Sequence, residues 1–397
     1  MKVHFLGIGG SGASAVAALA QAQGFEVTGC DLEPHTEFTT GFKKNQLKRG
    51  HDPKHLEAVD ILAVTPAIYS LDPDNPELKL AQKVMTWQQF LGEYLTKGKF
   101  VIAVGGTHGK TTTTAMIAQI LEDAKLDPTV ELGATNPKWK ANYRIGHGKY
   151  LVVEADEFND NFLHFKPDIA VVTNIEMDHP EYFKNFAAVK KSFDQFKKQS
   201  KKVFDKPNPR LIKFKLKVPG KFNIANASLA FQVGLALGLD PNIIKKSLAN
   251  YQGVARRFEY IGEYHGAKVY SDFGHHPTEI KVTMKAAREK SPHSRILLIY
   301  QPHMFSRTKA LFDDFVKVFK KVSADKVFIM DIYPSREVDT GLVTSKQLVE
   351  AINKPQVYYM GKPSETLRKL KPEIRKGDII FFMSAGDTEK LAKELIQ

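Results

Sequence analysis

The sequence predicts an α/β protein in three domains, on three observations. Short apolar runs alternate with helical patterns almost throughout, which is the signature of βαβ units and a mostly parallel sheet. The chain has 397 residues, too many for one ordinary domain and enough for each of several to bury its own core. Two breaks divide it: near Leu95 to Lys99, where a glycine-rich strand-turn-helix begins, and near Asn250 to Glu259, after a run of helices. The domains expected are residues 1–97, 98–253 and 254–397.

The first domain opens on the strand VHFLGI, a loop bearing Gly7, Gly9, Gly10, Ser11 and Gly12, and an alanine-rich helix. Such a loop seats a diphosphate on a helix N-terminus. With Asp31 closing the next strand, FEVTGCD, it also fits a nicotinamide dinucleotide, whose ribose an acid at that place would bind. The strand VDILAV follows. The glycines and the lack of a cleavage-site pattern argue against a signal peptide. No apolar run approaches the roughly eighteen residues that a membrane span needs, so a cytoplasmic protein with no membrane partner is expected. The single cysteine, Cys30, excludes a disulfide framework and fits a reducing compartment.

The second domain begins with the strand FVIAVGG, followed by Thr107, His108, Gly109, Lys110, Thr111 and Thr112 at the start of a helix. Glycines let backbone N–H groups approach phosphate oxygens, the helix N-terminus adds positive potential, and a lysine here reaches terminal phosphates. Only three residues separate Gly105 from Gly109, one fewer than in the common phosphate loop, but Gly-Lys-Thr after a buried strand still points to a nucleotide. Thr111 is placed to ligate Mg²⁺, which needs further oxygen ligands. Glu154, leaving the strand YLVVEAD, is the best candidate, with Asp156 and Glu157 close by. DIAVVTNI then delivers Asn174, Asp178 and His179 to the carboxyl edge, where open α/β sheets bind ligands.

Hydrophobic residues at 43% and charged residues at 25% are ordinary for a globular protein and indicate neither a disordered nor a fibrous class. Net charge is +13, but residues 197–221 hold ten Lys or Arg against the single acid Asp205 and so supply nine of it. This stretch reads as a solvated connection. A basic nucleic-acid-binding module is the non-enzymatic alternative, and no aromatic interleaving supports it, so no nucleic-acid partner is expected. In the third domain, EYIGEYHGAKVYSDF reads as a hairpin about His265-Gly266. RILLIYQ, KVFIMDI and DIIFFMS read as strands, and Ser306 to Val322 as a helix.

The chain resembles the Mur ligases, ATP-dependent enzymes that form amide bonds in peptidoglycan synthesis. GTHGKTTTT, VVEADE, TNIEMDH, GKFNIANA, GVARRFE and SDFGHHPTEI follow in that family's order across nearly the whole sequence, and the shortened phosphate loop is the family's own form. The resemblance implies a Rossmann-like N-terminal domain for UDP, a central ATP-binding domain and a Rossmann-like C-terminal domain that binds the amino acid. HFLGIGGSGASAVAALA and QPHMFSRT look like the member that joins L-alanine to UDP-N-acetylmuramate. The alternative member attaches a preformed tripeptide to the same sugar nucleotide, and Phe273 and FNDNF lean towards it.

The resemblance implies a role for each matching residue. Gly7, Gly9, Gly10, Ser11, Gly12 and Asp31, with His51, Thr65, Ala67 and Ile68, would hold the UDP-sugar. Gly106 to Thr112 would cradle ATP, Lys110 at its terminal phosphates, and Asn223 and Asn226 would read adenine. Thr111 and Glu154 would bind one Mg²⁺ and His179 a second, near the acyl phosphate, while Asn174 contacts the transferring phosphate. Arg257, Asp272 and His275 would close over ATP, with His276 more structural. His303 and Arg307, with His275, would grip the amino acid. Phe222 stands where the family usually has histidine. Only residues 180–222 separate His179 from Asn223, so the central domain is trimmed. ATP and Mg²⁺ are the implied cofactors, domain closure is expected, and the chain is expected to be a monomer or weak homodimer.

Overall fold

The structure is a computed structural model and describes residues 1–335 and 337–397, with residue 70 described through its backbone alone. Among the described residues seventeen strands form three sheets, one for each stretch of alternating pattern. The first contains β1 (Lys2–Leu6), β2 (Glu26–Asp31), β3 (Leu47–Arg49), β4 (Ile61–Val64) and β5 (Val84–Thr86), in the order β3-β2-β1-β4-β5. The second contains β6 (Phe100–Gly105), β7 (Thr129–Asn136), β8 (Ala141–Arg144), β9 (Tyr150–Glu154), β10 (Ile169–Val172) and β11 (Lys202–Phe204), in the order β11-β10-β6-β9-β7-β8. The third contains β12 (Glu259–Tyr264), β13 (Ala267–Asp272), β14 (Ile296–Tyr300), β15 (Lys326–Met330), β16 (Val357–Gly361) and β17 (Ile379–Met383), in the order β12-β13-β17-β14-β15-β16. Among the described residues pairing is parallel except at β7–β8 and β12–β13.

Central strands such as β4, β10, β14 and β17 are buried along their whole length, as expected where helices cover both faces of a parallel sheet. β12 and β13 form the expected hairpin, with His265 at φ +48° and Gly266 at φ +78°, the positive-φ pair of a two-residue turn. The expected helix Ser306 to Val322 is instead two helices, Phe305–Ala310 and Phe312–Phe319, broken at Leu311. The second turns Phe315 and Phe319 into the third core. The first buries Arg307 and Thr308, a different demand that one straight helix would not meet.

The chain divides into two compact units. Met1–Asp178, Asn185–Lys215 and Ala225–Val254 form one, and contain the first two sheets. The alanine-rich helix Ser11–Ala22 is buried from Ala13 to Ala20 and touches β7 and β8 as well as its own sheet. Small side chains permit that close approach on two sides. The other unit comprises His179–Lys184, Leu216–Ile224 and Ala255–Gln397. Phe222 packs on its core, so the residue standing in place of histidine has an apolar anchor. Among the described residues no helix is long and apolar enough to cross a membrane.

In each sheet a motif loop follows the strand at which the order reverses: β1, β6 and β14. A crevice opens beyond the carboxyl ends of such strands because the flanking connections leave on opposite faces.

Candidate active site

The loop between β6 and the helix Lys110–Asp123 is fixed largely by the end of the neighbouring strand β10. Asn174 accepts from His108 N at 3.0 Å through its side-chain oxygen and from Thr107 N at 3.1 Å through its carbonyl. Its amide donates back to the His108 carbonyl at 2.9 Å. Glu176 N donates to Thr107 Oγ1 at 2.9 Å. Asn174 therefore braces the loop in this structure. Gly109 caps the helix at φ +84°, and a Cβ there would lie 2.7 Å from Asn226 Oδ1. Both the conformation and the space demand glycine.

Lys110 donates to the Gly106 carbonyl at 2.7 Å and to Glu157 at 2.8 Å. Burial alone would lower its pKa, but Glu157, Asp156 and Glu154 outweigh that and leave it raised. The lysine is thus cationic at any working pH. Thr111 Oγ1 donates to Glu154 at 3.1 Å, and Gly133 N donates to the other Glu154 oxygen at 2.6 Å. Behind them, Glu131 accepts from Glu154 N at 3.1 Å and is 2% exposed. Burial, then Glu154 and Asp156, push its carboxyl well above the ordinary range. A hydroxyl and crowded carboxylates form a hard-oxygen set whose repulsion a dication would relieve, so the residues fit Mg²⁺. Thr112 and Asn226 are buried beside the loop.

Glu157 stands near the loop in sequence with no role evident there, and nothing in the sequence marks Glu131. Glu131 comes from β7, a strand whose TVELGATN pattern gives no continuous apolar run.

In the first domain the glycine loop opens the helix Ser11–Ala22, with Gly10 as its N-cap. Asp31 accepts from Gly9 N at 3.0 Å and from Glu33 N at 3.1 Å. The acid that the sequence pattern assigns to a ribose closes the loop here. Ser11 accepts at its carbonyl from Asn142. Thr65, Ala67 and Ile68 form the turn after β4, and His51 Nδ1 lies 3.3 Å from Cys30 Sγ.

In the other unit, His179, at φ +53°, has Glu181 at 3.2 Å and the Arg307 guanidinium at 3.5 Å from its Nδ1. Burial opposes ionisation of Glu181, but the His179 hydrogen bond and the nearby charges of His179 and Arg307 bring its carboxyl down to about 2. Arg307 is 3% exposed, so it is no mere surface charge at a helix start. Glu181 was not anticipated from sequence.

Asp272, at the end of β13, accepts from Phe258 N and Gly274 N at 2.9 Å each. Phe273 lies under the Arg256 and Arg257 guanidiniums, 4.7 and 4.9 Å from its ring centre, so its ring face stacks against both cations. Arg257 and His275 both face Glu279, at 4.0 and 3.6 Å. His276 caps the helix Pro277–Lys290 and accepts from Thr278 N, the structural role expected of one of the adjacent histidines. The His275 and His303 rings are 5.8 Å apart. Asn223, near the start of the helix Lys221–Ala236, donates to the Pro219 carbonyl at 2.7 Å.

Burial raises the Asp272 carboxyl to about 6 against the opposing pull of Arg257 and the two backbone donors. A carboxyl raised on folding stabilises the native state below its unfolded pKa, near 3.8. That contribution is lost as pH rises through about 6. Asp272→Asn cannot titrate, so its thermal midpoint should gain on the native chain's between pH 4 and 6, by the equivalent of ~3 kcal/mol. A difference that stays flat over that interval would show that Asp272 is ionised throughout.

Models of the Mur ligase family match in chain order: the catalytic domain at residues 2–96, the middle domain at 104–204 and the glutamate ligase domain at 256–386. A UDP-N-acetylmuramate–L-alanine ligase of Acetivibrio thermocellus is 37% identical, covering 100% of this chain and 95% of its own. The solved UDP-N-acetylmuramate-alanine ligase MurC of Thermotoga maritima superposes with a TM-score of 0.81 at 27% identity, covering 100% of this chain and 98% of its own. A murein peptide ligase from Psychrobacter arcticus shares the fold, with a TM-score of 0.70 at 23% identity, covering 100% and 98%.

Proposed function

The chain belongs to the Mur ligase family, and from that premise we propose that it joins L-alanine to the lactyl carboxylate of UDP-N-acetylmuramate at the expense of ATP. The observation that carries the choice of member is full-length similarity to the A. thermocellus L-alanine ligase at 37% identity, with the QPHMFSRT arginine buried rather than on the surface.

The reaction has two steps. The γ-phosphoryl group passes to the carboxylate, giving an acyl phosphate and ADP; the alanine amine then attacks the acyl carbon, an amide forms and phosphate leaves with the electrons of the broken C–O bond. Phosphoryl transfer of this kind depends on positioning and charge neutralisation. Lys110 supplies a fixed positive charge, released from Glu157 towards the β and γ phosphates. Gly106, Thr107, His108 and Gly109 supply backbone donors, held in register by Asn174, which also stands at the transferring phosphate. Thr111 and Glu154 would hold Mg²⁺, which neutralises phosphate charge when bound. His179 is assigned to a second ion near the acyl phosphate, through the ring nitrogen not facing Glu181.

Asn223 and Asn226 are assigned to adenine, Arg257, Asp272 and His275 to the nucleotide's outer side, and Arg307 with His303 to the amino acid's carboxylate. A planar guanidinium matches that group bidentately. The UDP diphosphate is assigned to the loop Gly7 to Gly12, with His51 and the turn Thr65 to Ile68 beside it. The domains are taken as residues 1–97, 98–253 and 254–397, and the protein as cytoplasmic.

Phosphate release should be measured with ATP, Mg²⁺ and UDP-N-acetylmuramate, adding L-alanine, the L-Ala-γ-D-Glu-diamino acid tripeptide, or nothing. Release with alanine alone is expected. Release only with the tripeptide would move the chain to the tripeptide-adding branch, and silence with both would overturn the ligase reading.

A further inference from the structure

The first domain contains a cluster of potential metal ligands that the ligation reaction does not use. His4 on β1, Cys30 on β2, His55 in the turn Pro53–Leu56 and Glu77 in the helix Pro76–Leu80 each offer one donor atom, and these atoms all lie within 4.8 Å of one another. His4, Cys30 and Glu77 are 0% exposed. His55 keeps 15% of its side chain accessible, which gives the cluster an open side.

Hydrogen bonding accounts for all of the arrangement but one buried atom. Glu77 accepts from Asp52 N at 2.8 Å, faces His55 Nδ1 at 2.9 Å and lies 3.2 and 3.4 Å from Cys30 Sγ. His4 Nδ1 is engaged by Thr28 Oγ1 at 2.8 Å. Its Nε2 has no hydrogen-bond partner and points at a Glu77 oxygen 3.6 Å away. With the proton on Nδ1, a bare nitrogen lone pair faces a carboxylate oxygen; with the proton on Nε2, the donor stops short of a hydrogen bond. A buried polar atom in either state is expensive.

A cation at the centre resolves this. Metal–ligand distances of about 2.0–2.3 Å in a tetrahedron place the ligand atoms roughly 3.3–3.8 Å apart, close to the 3.6 Å between His4 and Glu77 and the 3.2 and 3.4 Å between Cys30 and Glu77. The Thr28 contact is the outer hydrogen bond that a metal-bound imidazole makes through its other nitrogen. Two imidazoles, a thiolate and a carboxylate select a borderline divalent transition ion of the zinc type over Mg²⁺. The charges also close: a thiolate and a carboxylate cancel a dication, so nothing charged remains buried.

We propose that His4, Cys30, His55 and Glu77 form a structural site for a zinc-type divalent cation, separate from the Mg²⁺ of the ligation reaction. Binding displaces the Cys30 thiol proton to solvent and forms an S–metal bond with no change of oxidation state. The ion ties β1, β2, the turn after Asp52 and the helix Pro76–Leu80 together. It does so directly before Asp31, which closes the glycine loop.

The test is cobalt titration of the full chain, free of any histidine tag and stripped with a chelator. One Co²⁺ per chain should produce a thiolate-to-cobalt charge-transfer band in the near ultraviolet, and stoichiometric Zn²⁺ should abolish it. The ligation site contains no cysteine and cannot give that band. Cys30→Ser should lose it, and Glu77→Gln should weaken cobalt binding at least tenfold. The proposal fails if the native chain shows no charge-transfer band at saturating Co²⁺, or if the band survives in Cys30→Ser. Since the native chain is itself the decisive sample, a variant that misfolds leaves the test intact.

Discussion

Lys110→Met is expected to lower the ligation rate by at least about 10³-fold, the scale at which a fixed cation at a transferring phosphoryl group acts. The same substitution should also destabilise the fold. Lys110 is paired at 2.8 Å with Glu157, whose side chain is 2% exposed, and removing one member of a buried pair leaves an uncompensated charge worth roughly 3–5 kcal/mol. Loss of activity in the single variant is therefore ambiguous. The double variant Lys110→Met with Glu157→Gln separates the causes, because a neutral amide no longer needs the lysine. Its thermal midpoint should return most of the way to that of the native chain while its activity stays as low as the single variant's. If the double variant regains ligation, the lysine serves the fold and not the phosphate.

That pairing illustrates what the sequence could and could not reveal. The core strands were legible because burial on both faces writes itself as a continuous apolar run, as in ILAV of β4, IAVV of β10 and ILLIY of β14. β3, β5 and β11 have three residues each, too few for any period to show. β7 alternates polar with apolar and includes a glycine. The residues that touch phosphate in the proposal were visible because glycine, lysine and threonine at fixed spacing after a strand have few other uses. The acids packed around the site were not. Glu131, Glu181 and Glu279 look in sequence like any surface acid, and only the fold sets them against Glu154, His179 and Arg257. The same limit hid the His4–Cys30–His55–Glu77 cluster, whose members come from four elements and fit no ligand spacing along the chain.

Arg307→Ala carries the second large expectation: the KM for L-alanine should rise about 10²-fold, since losing a desolvated, charge-assisted partner costs about 2–5 kcal/mol, while the KM for ATP changes little. Arg307 is buried, and its neighbours are His179 and Glu181, so two other outcomes need a reading. If the arginine mainly positions His179, kcat falls and the alanine KM holds, which would remove Arg307 from the amino-acid site. If it mainly neutralises Glu181, Arg307→Lys should restore nearly full activity, because a lysine supplies the same charge. A guanidinium that grips a carboxylate through two parallel hydrogen bonds is not replaced by a point charge. The amino-acid role therefore requires Arg307→Lys to remain impaired in KM for alanine, and that variant, more than the alanine one, decides between recognition and simple charge balance.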